Sequence, residues 1–457
     1  MSKPYQGRNF LLVEHGEDRK RFTLDALRRE GVNLFIATST TPHWLTDYTP
    51  PENIIPTDPY NSFRLLADIT AYSEFHGISF HAVGTFTEHT VIQTADTAYA
   101  LGLTGLDPRA ARRSSSNKLL MKKHCREAGI PVARSRVIPR LDSNHLELAL
   151  RELGTPCVIK PIFGSDSYGV IKIESRSKLA DVTREITNNT RPSKGEVFKN
   201  FSGTFLLEEY IPGTMISVDG IVSSGDILIA GAVEYVMGPE PHFTQEANYI
   251  PARIGARELD RARTLLVDVI HALGFDNTGF HCEMRLGAEG PVLIEIAARL
   301  PGGPLQLGYR KSTGIDLTRE IIRLWFGEKS TFVQSNASHV LQKAVFPRKA
   351  GTIRMAPMDS PCSAAGNGPV WDFKLFARDG EQALTYPEIP RPLYYYALAA
   401  PTLQELQEMS ERFESSILIE VEYPRNAQET TDEQTFHVAP EPQDRQAVHS
   451  ASDHPRL

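Results

Sequence analysis

The stretch from Thr278 to Gly303 reads TGFHCEMRLGAEGPVLIEIAARLPGG and predicts two strands joined by a tight turn. In its second half, residues alternate with the period of two that is typical of a half-buried strand. One face of that strand is predicted to carry Leu293, Glu295, Ala297 and Arg299. We therefore expect a β-hairpin with one polar face, which carries the candidate functional side chains.

The turn at 287–290 decides which side chains of the hairpin face each other. Because positions 283 and 295 are equidistant from 289, Glu283 is predicted opposite Glu295, and His281 opposite Ala297. Two directly opposed carboxylates destabilise a sheet by about 0.2–1 kcal/mol, so this pair favours a cation between them. Oxygen ligands suit Mg²⁺ or Mn²⁺ better than zinc. The alternative is an exposed hairpin whose acids face solvent.

Length and composition are those of a globular protein with several domains. A chain of 457 residues exceeds one ordinary core, and it is 41% hydrophobic and 23% charged. The net charge of −7 gives no electrostatic reason to expect nucleic acid or a membrane surface as a partner. No apolar run approaches the roughly 18 residues of a membrane-spanning helix, so we expect a cytoplasmic protein.

The N-terminal region alternates short apolar strands with an amphipathic helix. Strands are predicted at 9–13 and 33–37, with a helix at 19–30 between them, which indicates a βαβ unit and a parallel sheet. A further strand at 78–84 leads into a loop that contains Glu88. Loops at the carboxyl ends of such strands bind ligands. Glu88 is therefore a site candidate, and a solvated loop acid is the alternative.

Two lysines lie where an anion could be bound; the alternatives are a solvated lysine at the helix start and an ordinary surface hairpin after the strand. Lys118 falls in the first turn of a predicted helix, where a cation opposes the helix dipole. Lys160 ends the strand 156–161, and a Gly/Ser hairpin at 164–169 follows it. The backbone N–H groups of such a hairpin can close over phosphates. The segment is not a P-loop, because no G-x-x-x-x-G-K-[ST] occurs.

Together these motifs resemble the ATP-grasp superfamily, and within it the L-amino-acid ligases and related carboxylate–amine ligases. The resemblance rests on a helix-start lysine, V-I-K, the Gly/Ser flap, E-E-Y-I-P-G, H-x-E-x-R and L-I-E-x-x-x-R-L-x-G-G, in that order. It implies an α/β and α+β fold of three domains: a Rossmann-like domain at 1–110, a two-lobed ATP-grasp domain at 111–328 and a small α+β domain at 329–424. The polar tail at 425–457 is expected to be disordered.

The resemblance also implies the site residues. For ATP, it implies phosphate contacts from Lys118 and Lys160, a flap containing Ser165, Ser167, Tyr168 and Gly169, and an adenine hinge of Glu208, Glu209, Tyr210 and Ile211. For Mg²⁺, with Mn²⁺ as the other option, it implies Glu283 and Glu295. For catalysis, it implies Arg299 and Lys160. The predicted substrate region consists of Glu246, Tyr249, His281, Arg299, Gly302 and Gly303, together with Glu88.

The activity implied is ATP-dependent ligation of an amino acid or similar carboxylate to an amine. An acyl phosphate would be the intermediate, a dipeptide or related amide the product, and ADP and phosphate would be released. Two alternatives stay open: another ATP-grasp enzyme, such as a carboxylase or phosphotransferase, and an ATP-binding regulatory protein without catalysis. The expected partners are small molecules, and a homodimer is an open alternative to a monomer.

Two positions depart from the family pattern. A ribose-binding glutamate often lies two residues after the hinge glycine, but Met215 occupies that position here. An asparagine is common two residues after the second metal glutamate, but Ala297 is found there. Both predicted metal carboxylates are nevertheless present, so the sequence favours an active enzyme. For Glu246, the sequence leaves open a solvated acid and a salt bridge to Arg253.

Overall fold

The computed structural model describes residues 3–16, 18–115, 117–163, 169–191, 203–333, 335, 337–356, 370–386, 388 and 390–423. The strands of this part are β1 (Asn9–Val13), β2 (Asn33–Thr38), β3 (Ile54–Pro56), β4 (Ala82–Gly84), β5 (Ser135–Ile138), β6 (Cys157–Pro161), β7 (Ile171–Ile173), β8 (Phe205–Glu209), β9 (Thr214–Ser223), β10 (Asp226–Met237), β11 (Gln245–Ile250), β12 (Thr278–Gly287), β13 (Gly290–Ala297), β14 (His339–Val345), β15 (Gly351–Met355), β16 (Val370–Leu375), β17 (Gln382–Ala383), β18 (Tyr394–Ala400) and β19 (Ile419–Glu422).

The α-helices of the same part are α1 (Arg21–Glu30), α2 (Ser62–His76), α3 (Val91–Ala100), α4 (Pro108–Ser114), α5 (Lys118–Glu127), α6 (Ser143–Leu153), α7 (Leu179–Asn189), α8 (Ala256–Leu273), α9 (Leu305–Thr313), α10 (Leu317–Trp325) and α11 (Leu403–Ser415). Short 3₁₀ helices lie at Asp18–Lys20, His43–Asp47, Pro51–Asn53, Glu88–Thr90 and Arg176–Lys178. Within the described residues, no helix is both long and apolar enough to cross a membrane.

The N-terminal strands form the predicted parallel sheet, in the order β3-β2-β1-β4. In its register, Asn9 lies beside Asn33 and Phe10 beside Ala82. Helix α1 ends at Gly31, whose φ of 82° is a left-handed conformation that glycine adopts without a steric penalty. Strand β4 begins at Ala82, four residues later than the sequence predicts. The carboxyl ends of β1, β2 and β4 therefore share one edge.

Two antiparallel sheets form the centre of the chain. The smaller has the order β5-β8-β6-β7, and the larger has the order β13-β12-β9-β10-β11-β14-β18-β16. The larger sheet continues across residue 328, where the sequence predicts a domain border; the domain borders themselves stay predictions. A third antiparallel sheet, β17-β15-β19, packs its apolar side chains into the core beneath β18 and α11.

Some elements and residues of the site are not accessible to pattern reasoning. Residues 245–250 form β11, which pairs with β10 and β14 although the polar segment around it has the composition of a loop. A strand of mixed polarity lacks a clear alternation, and one of its partners, β14, is distant in sequence. Ser165, Ser167, Tyr168 and the tail 425–457 lie outside the described residues.

The contact between Gly84 and Trp325 joins the parallel sheet to α10. A Cβ on Gly84 would lie 2.4 Å from Cε3 of Trp325, whose ring also packs against Phe10 and Phe86. Because overpacking a core costs about 1–3 kcal/mol, we expect Gly84→Ala to lower the free energy of unfolding in urea by that amount. Gly287→Ala is the control, since the nearest atom to its Cβ would be the Gly290 carbonyl oxygen at 3.5 Å. Equal losses in the two variants would contradict this packing.

Candidate active site

The hairpin β12–β13 brings the two predicted metal carboxylates together. Glu283 lies opposite Glu295, and His281 opposite Ala297, which confirms the predicted register. Both acids are partly buried rather than fully exposed, so the alternative of a hairpin with solvated acids is wrong for Glu283 and Glu295.

A β-bulge produces this register. Gly287 pairs with Gly290, so the turn is centred half a residue earlier than predicted, and the register shifts between Glu283 and Met284. Leu293 consequently pairs with Met284 and is buried in the core, whereas the sequence predicts it on the face of Glu295. A bulge adds one residue to one strand, which moves every later side chain to the other face.

A cation from α5 accompanies Glu295. The Nζ of Lys118 lies 2.9 Å from Oε1 of Glu295, and the lysine side chain is only 12% exposed. Helix α5 begins at Lys118 because the Asn117 side chain accepts hydrogen bonds from the N–H groups of Leu119 and Leu120. Burial by itself would lower the pKa of Lys118, but the charge and hydrogen bond of Glu295 raise it. Lys118 is therefore a charged neighbour of the two acids.

A second cation lies beside Glu283. His281 Nδ1 is 2.5 Å from Oδ1 of Asp219, and His281 Nε2 is 3.3 Å from Oε1 of Glu283. Asp219 is fully buried and also accepts hydrogen bonds from Tyr309 Oη at 2.6 Å and from Ser217 Oγ at 2.8 Å. Burial would lower the pKa of His281, but Asp219 and Glu283 raise it to about 10. His281 thus separates two carboxylates as an imidazolium.

The carboxylates of Glu283 and Glu295 suit Mg²⁺ or Mn²⁺, provided that another molecule supplies further ligands to the ion. Burial would raise the pKa of Glu283, but His281 and Lys118 bring it below its usual range, so this acid is ionised at neutral pH. Among the described residues, no group of three or more His, Cys, Asp or Glu side chains could hold a metal ion. Magnesium commonly takes one or two carboxylates and completes its shell with water and phosphate oxygens.

The side chain of Glu208 lies between two lysines. Its Oε2 is 2.7 Å from Nζ of Lys160, and its Oε1 is 3.1 Å from Nζ of Lys122. Burial by itself would raise the pKa of Glu208, but the charges of Lys122 and Lys160 outweigh this effect, and the pKa lies below its usual value. Sequence reasoning missed Lys122, although its position four residues after Lys118 places both on one side of α5.

The predicted adenine hinge lies on β8 and the residues after it. The N–H groups of Glu209 and Tyr210 donate to the carbonyls of Arg134 and Pro156, at 3.0 and 3.1 Å. The Glu209 carboxylate is 2.6 Å from Nε of Arg134, and the Tyr210 hydroxyl donates to Glu240 at 2.8 Å. The hinge backbone is therefore held firmly by its neighbours.

Glu88 and Arg299 meet across the site. The Nε of Arg299 lies 2.9 Å from Oε2 of Glu88, and the side chains are 17% and 11% exposed. The interpretation of Glu88 as a solvated loop acid is therefore wrong.

His89, the residue after Glu88 in the short 3₁₀ helix, is a neighbour of the site that the sequence patterns do not indicate. Burial lowers its pKa, and the charge of Arg299 acts in the same direction while Glu88 opposes it.

Glu246 has a different partner from the one considered in the sequence. Its carboxylate pairs with the guanidinium of Arg348, with Oε2 at 2.9 Å from Nη2, whereas Arg253 pairs with Glu234 at 2.9 Å. The side chain of Glu246 is 14% exposed, so it is not a solvated acid.

Tyr249 lies on the face of the large sheet opposite to Glu283. Directly paired residues share a face, and Glu283 pairs with Ser217, which pairs with Val233. Tyr249 pairs with Glu234, the next residue of β10, and so faces the other way. The structure therefore does not bring Tyr249 to the carboxylates.

The glycine pair lies between β13 and α9. Gly302 and Gly303 have no atom within 4 Å of where a Cβ would be, and Gly303 has a φ of +53°. Helix α9 begins two residues later, at Leu305. Gly169, the described end of the flap, also has a positive φ, of +72°.

Comparisons with known proteins agree with this architecture. Residues 153–305 match the family model of the ATP-grasp domain. Residues 153–305 therefore carry an ATP-grasp domain. The chain is similar in structure to an L-amino acid ligase from Bacillus licheniformis, with a TM-score of 0.72 and 17% identity over 92% of this chain and 100% of that one.

Two curated relatives are similar in sequence. Uncharacterized protein y4rH of Sinorhizobium fredii is 25% identical over 89% of this chain and 82% of its own. Alanine–anticapsin ligase of Bacillus subtilis is 23% identical, and the match covers 58% of each protein. The chain thus spans little more than half of the relative whose name states an activity.

The hydrogen bond from Tyr309 to Asp219 should stabilise the site. Tyr309→Phe removes a buried bond to a charged group, which contributes about 1.5–3 kcal/mol. We expect that loss in the free energy of unfolding measured in urea. Tyr395→Phe is the matched control, because its buried hydroxyl has no hydrogen-bond partner among the described residues. Comparable losses in the two variants would contradict a special role for the Tyr309–Asp219 bond.

Proposed function

We propose that this protein is an ATP-dependent carboxylate–amine ligase that joins an amino acid, or a similar carboxylate, to an amine. The product would be a dipeptide or related amide, and ADP and phosphate would be released from an acyl-phosphate intermediate. The observation that carries the proposal is the pairing of Glu283 with Glu295, flanked by Lys118 and by His281. The similarity to an anticapsin ligase supports the reaction class.

The proposed roles follow from position and charge. Lys118 and Lys160 bind the phosphates, and the segments 165–169 and 208–211 are proposed as the flap and the adenine hinge. Glu283 and Glu295 would hold Mg²⁺, which offsets charge on the transferring phosphoryl group when bound. Arg299, oriented by Glu88, presents a planar guanidinium that suits a carboxylate or phosphate oxygen.

The substrate region is proposed around Glu246, Arg299 and the N–H groups at Gly302 and Gly303. The glycines precede α9, whose N-terminus favours an anion. Glu246 would bind the amino group of an amino-acid substrate, in competition with Arg348. Tyr249, which faces away from Glu283, is left out of this assignment.

The reaction class can be tested with a matrix of amino-acid pairs, ATP and Mg²⁺, scored by phosphate release and product mass. Ligation requires phosphate release that depends on both an acid and an amine, with a product of their summed mass less water. Phosphate release with bicarbonate or another acceptor and no amine would indicate a carboxylase or phosphotransferase. Nucleotide binding without turnover would indicate a regulatory protein.

We expect Glu295→Ala to reduce turnover at least tenfold, because one carboxylate holds the metal less well than two. Tenfold corresponds to about 1.4 kcal/mol in the barrier. Phosphate release at saturating ATP is the measurement. Glu289→Ala, in the exposed turn of the same hairpin, is the control and should keep full activity. A Glu295→Ala variant that keeps more than about a tenth of the rate would remove the metal assignment.

We expect Glu246→Gln to raise KM for an amino-acid substrate at least several-fold and to leave KM for ATP nearly unchanged. The lost charge-assisted bond contributes roughly 1.5–3 kcal/mol to binding. Steady-state kinetics with each substrate varied in turn gives both constants. Glu234→Gln, which breaks the other described Glu–Arg pair of this region, is the control. If both variants change KM equally, Glu246 has only a structural role.

A further inference from the structure

Lys122 is a buried charge that the proposed mechanism does not use. Its side chain is 0% exposed, and it lies one helical turn after Lys118 on α5. The Nζ of Lys122 is 3.1 Å from Oε1 of Glu208. Among the described residues, neither of these two atoms has a hydrogen bond of normal geometry. Lys122 and Glu208 therefore meet as charges rather than through an aligned hydrogen bond.

Stability alone does not account for a lysine at this position. Burying an ammonium group is costly, and apolar residues often replace buried ion pairs without loss of stability. The neighbours of Lys122 on α5 include Met121 and Cys125, which are core residues, so an apolar side chain would suit the surroundings. Burial lowers the pKa of Lys122 to about 8, which expresses the same cost.

The charge balance of the cluster indicates what Lys122 supplies. Lys160 and Glu208 form a tight ion pair, 2.7 Å from Nζ to Oε2, that is neutral as a pair. Lys122 gives the three residues a net charge of +1. Lys160 is the lysine with some exposure, 7% of its side chain, so an anion can reach Lys160 but not Lys122.

We propose that Lys122 is a positioning residue for the nucleotide: it holds the far oxygen of Glu208 and supplies the charge that lets Lys160 attract phosphate despite its own ion pair. This inference rests on the proposed ATP-dependent function. It assigns no direct contact between Lys122 and the nucleotide. Its effect should appear in nucleotide binding more than in stability or in amino-acid binding.

The test compares Lys122→Met with wild type by calorimetric titration with ADP and Mg²⁺, thermal unfolding and steady-state kinetics. We expect the Kd for ADP and KM for ATP to rise at least tenfold, with Tm and KM for the amino acid nearly unchanged. Lys123→Met is the matched control, because Lys123 is 61% exposed beside Glu127. A lower Tm with an unchanged Kd in Lys122→Met would overturn the proposal.

A charge-balanced double variant gives an independent readout. Lys122→Met/Glu208→Gln restores the net charge of +1 through Lys160 alone. Because Glu208 also belongs to the proposed hinge, we compare this variant with Lys122→Met and expect it to bind ADP at least threefold more tightly. A purely structural role predicts that changing both buried partners binds ADP no better than Lys122→Met, and that result would overturn the inference. If Lys122→Met does not fold, Lys122→Gln takes its place in both comparisons, with the same expected results and the same outcomes that would overturn the inference. A wild-type protein that binds no ADP would instead refute the proposed function.

Discussion

The mutual repulsion of three carboxylates is the constraint on which the site depends. Asp219, Glu283 and Glu295 lie on the three neighbouring strands β9, β12 and β13, where charges interact more strongly than in water. His281 separates the first two, and Lys118 accompanies the third. The cations lie close enough to offset this repulsion, so the register of the sheet and the start of α5 are linked through charge.

Helix α5 connects the four-stranded and the eight-stranded sheet through ion pairs. Lys118 reaches Glu295 on the eight-stranded sheet, and Lys122, one turn later, reaches Glu208 on the four-stranded sheet. Residues four apart lie on the same side of a helix, so a single helix provides cations to two acids on different sheets. The proposed phosphate lysines thus belong to one electrostatic network rather than to independent contacts.

Much of the site was accessible to pattern reasoning because it is local. Period-two alternation and a glycine turn predict the hairpin, and Lys118 is predicted in the first turn of a helix, where α5 begins. The sequence also predicts that Glu283 lies opposite Glu295. The turn is centred half a residue earlier than this prediction assumes, and the β-bulge restores the predicted pairing. Leu293 shows the limit: its side chain points to the core because of that bulge, which the alternation does not reveal.

Short-range periodicity and side-chain chemistry predict the N-terminal parallel sheet, the hairpin, and the residue types that suit phosphate and magnesium. Which charges become neighbours depends on how distant segments pack. Glu246 pairs with Arg348, 102 residues away, and Glu88 with Arg299 in another sheet's loop. Lys122 is buried although its type favours solvent. Packing between distant segments determines which residues form these ion pairs. The energy of a charge depends on its burial, and a local sequence pattern does not encode that burial.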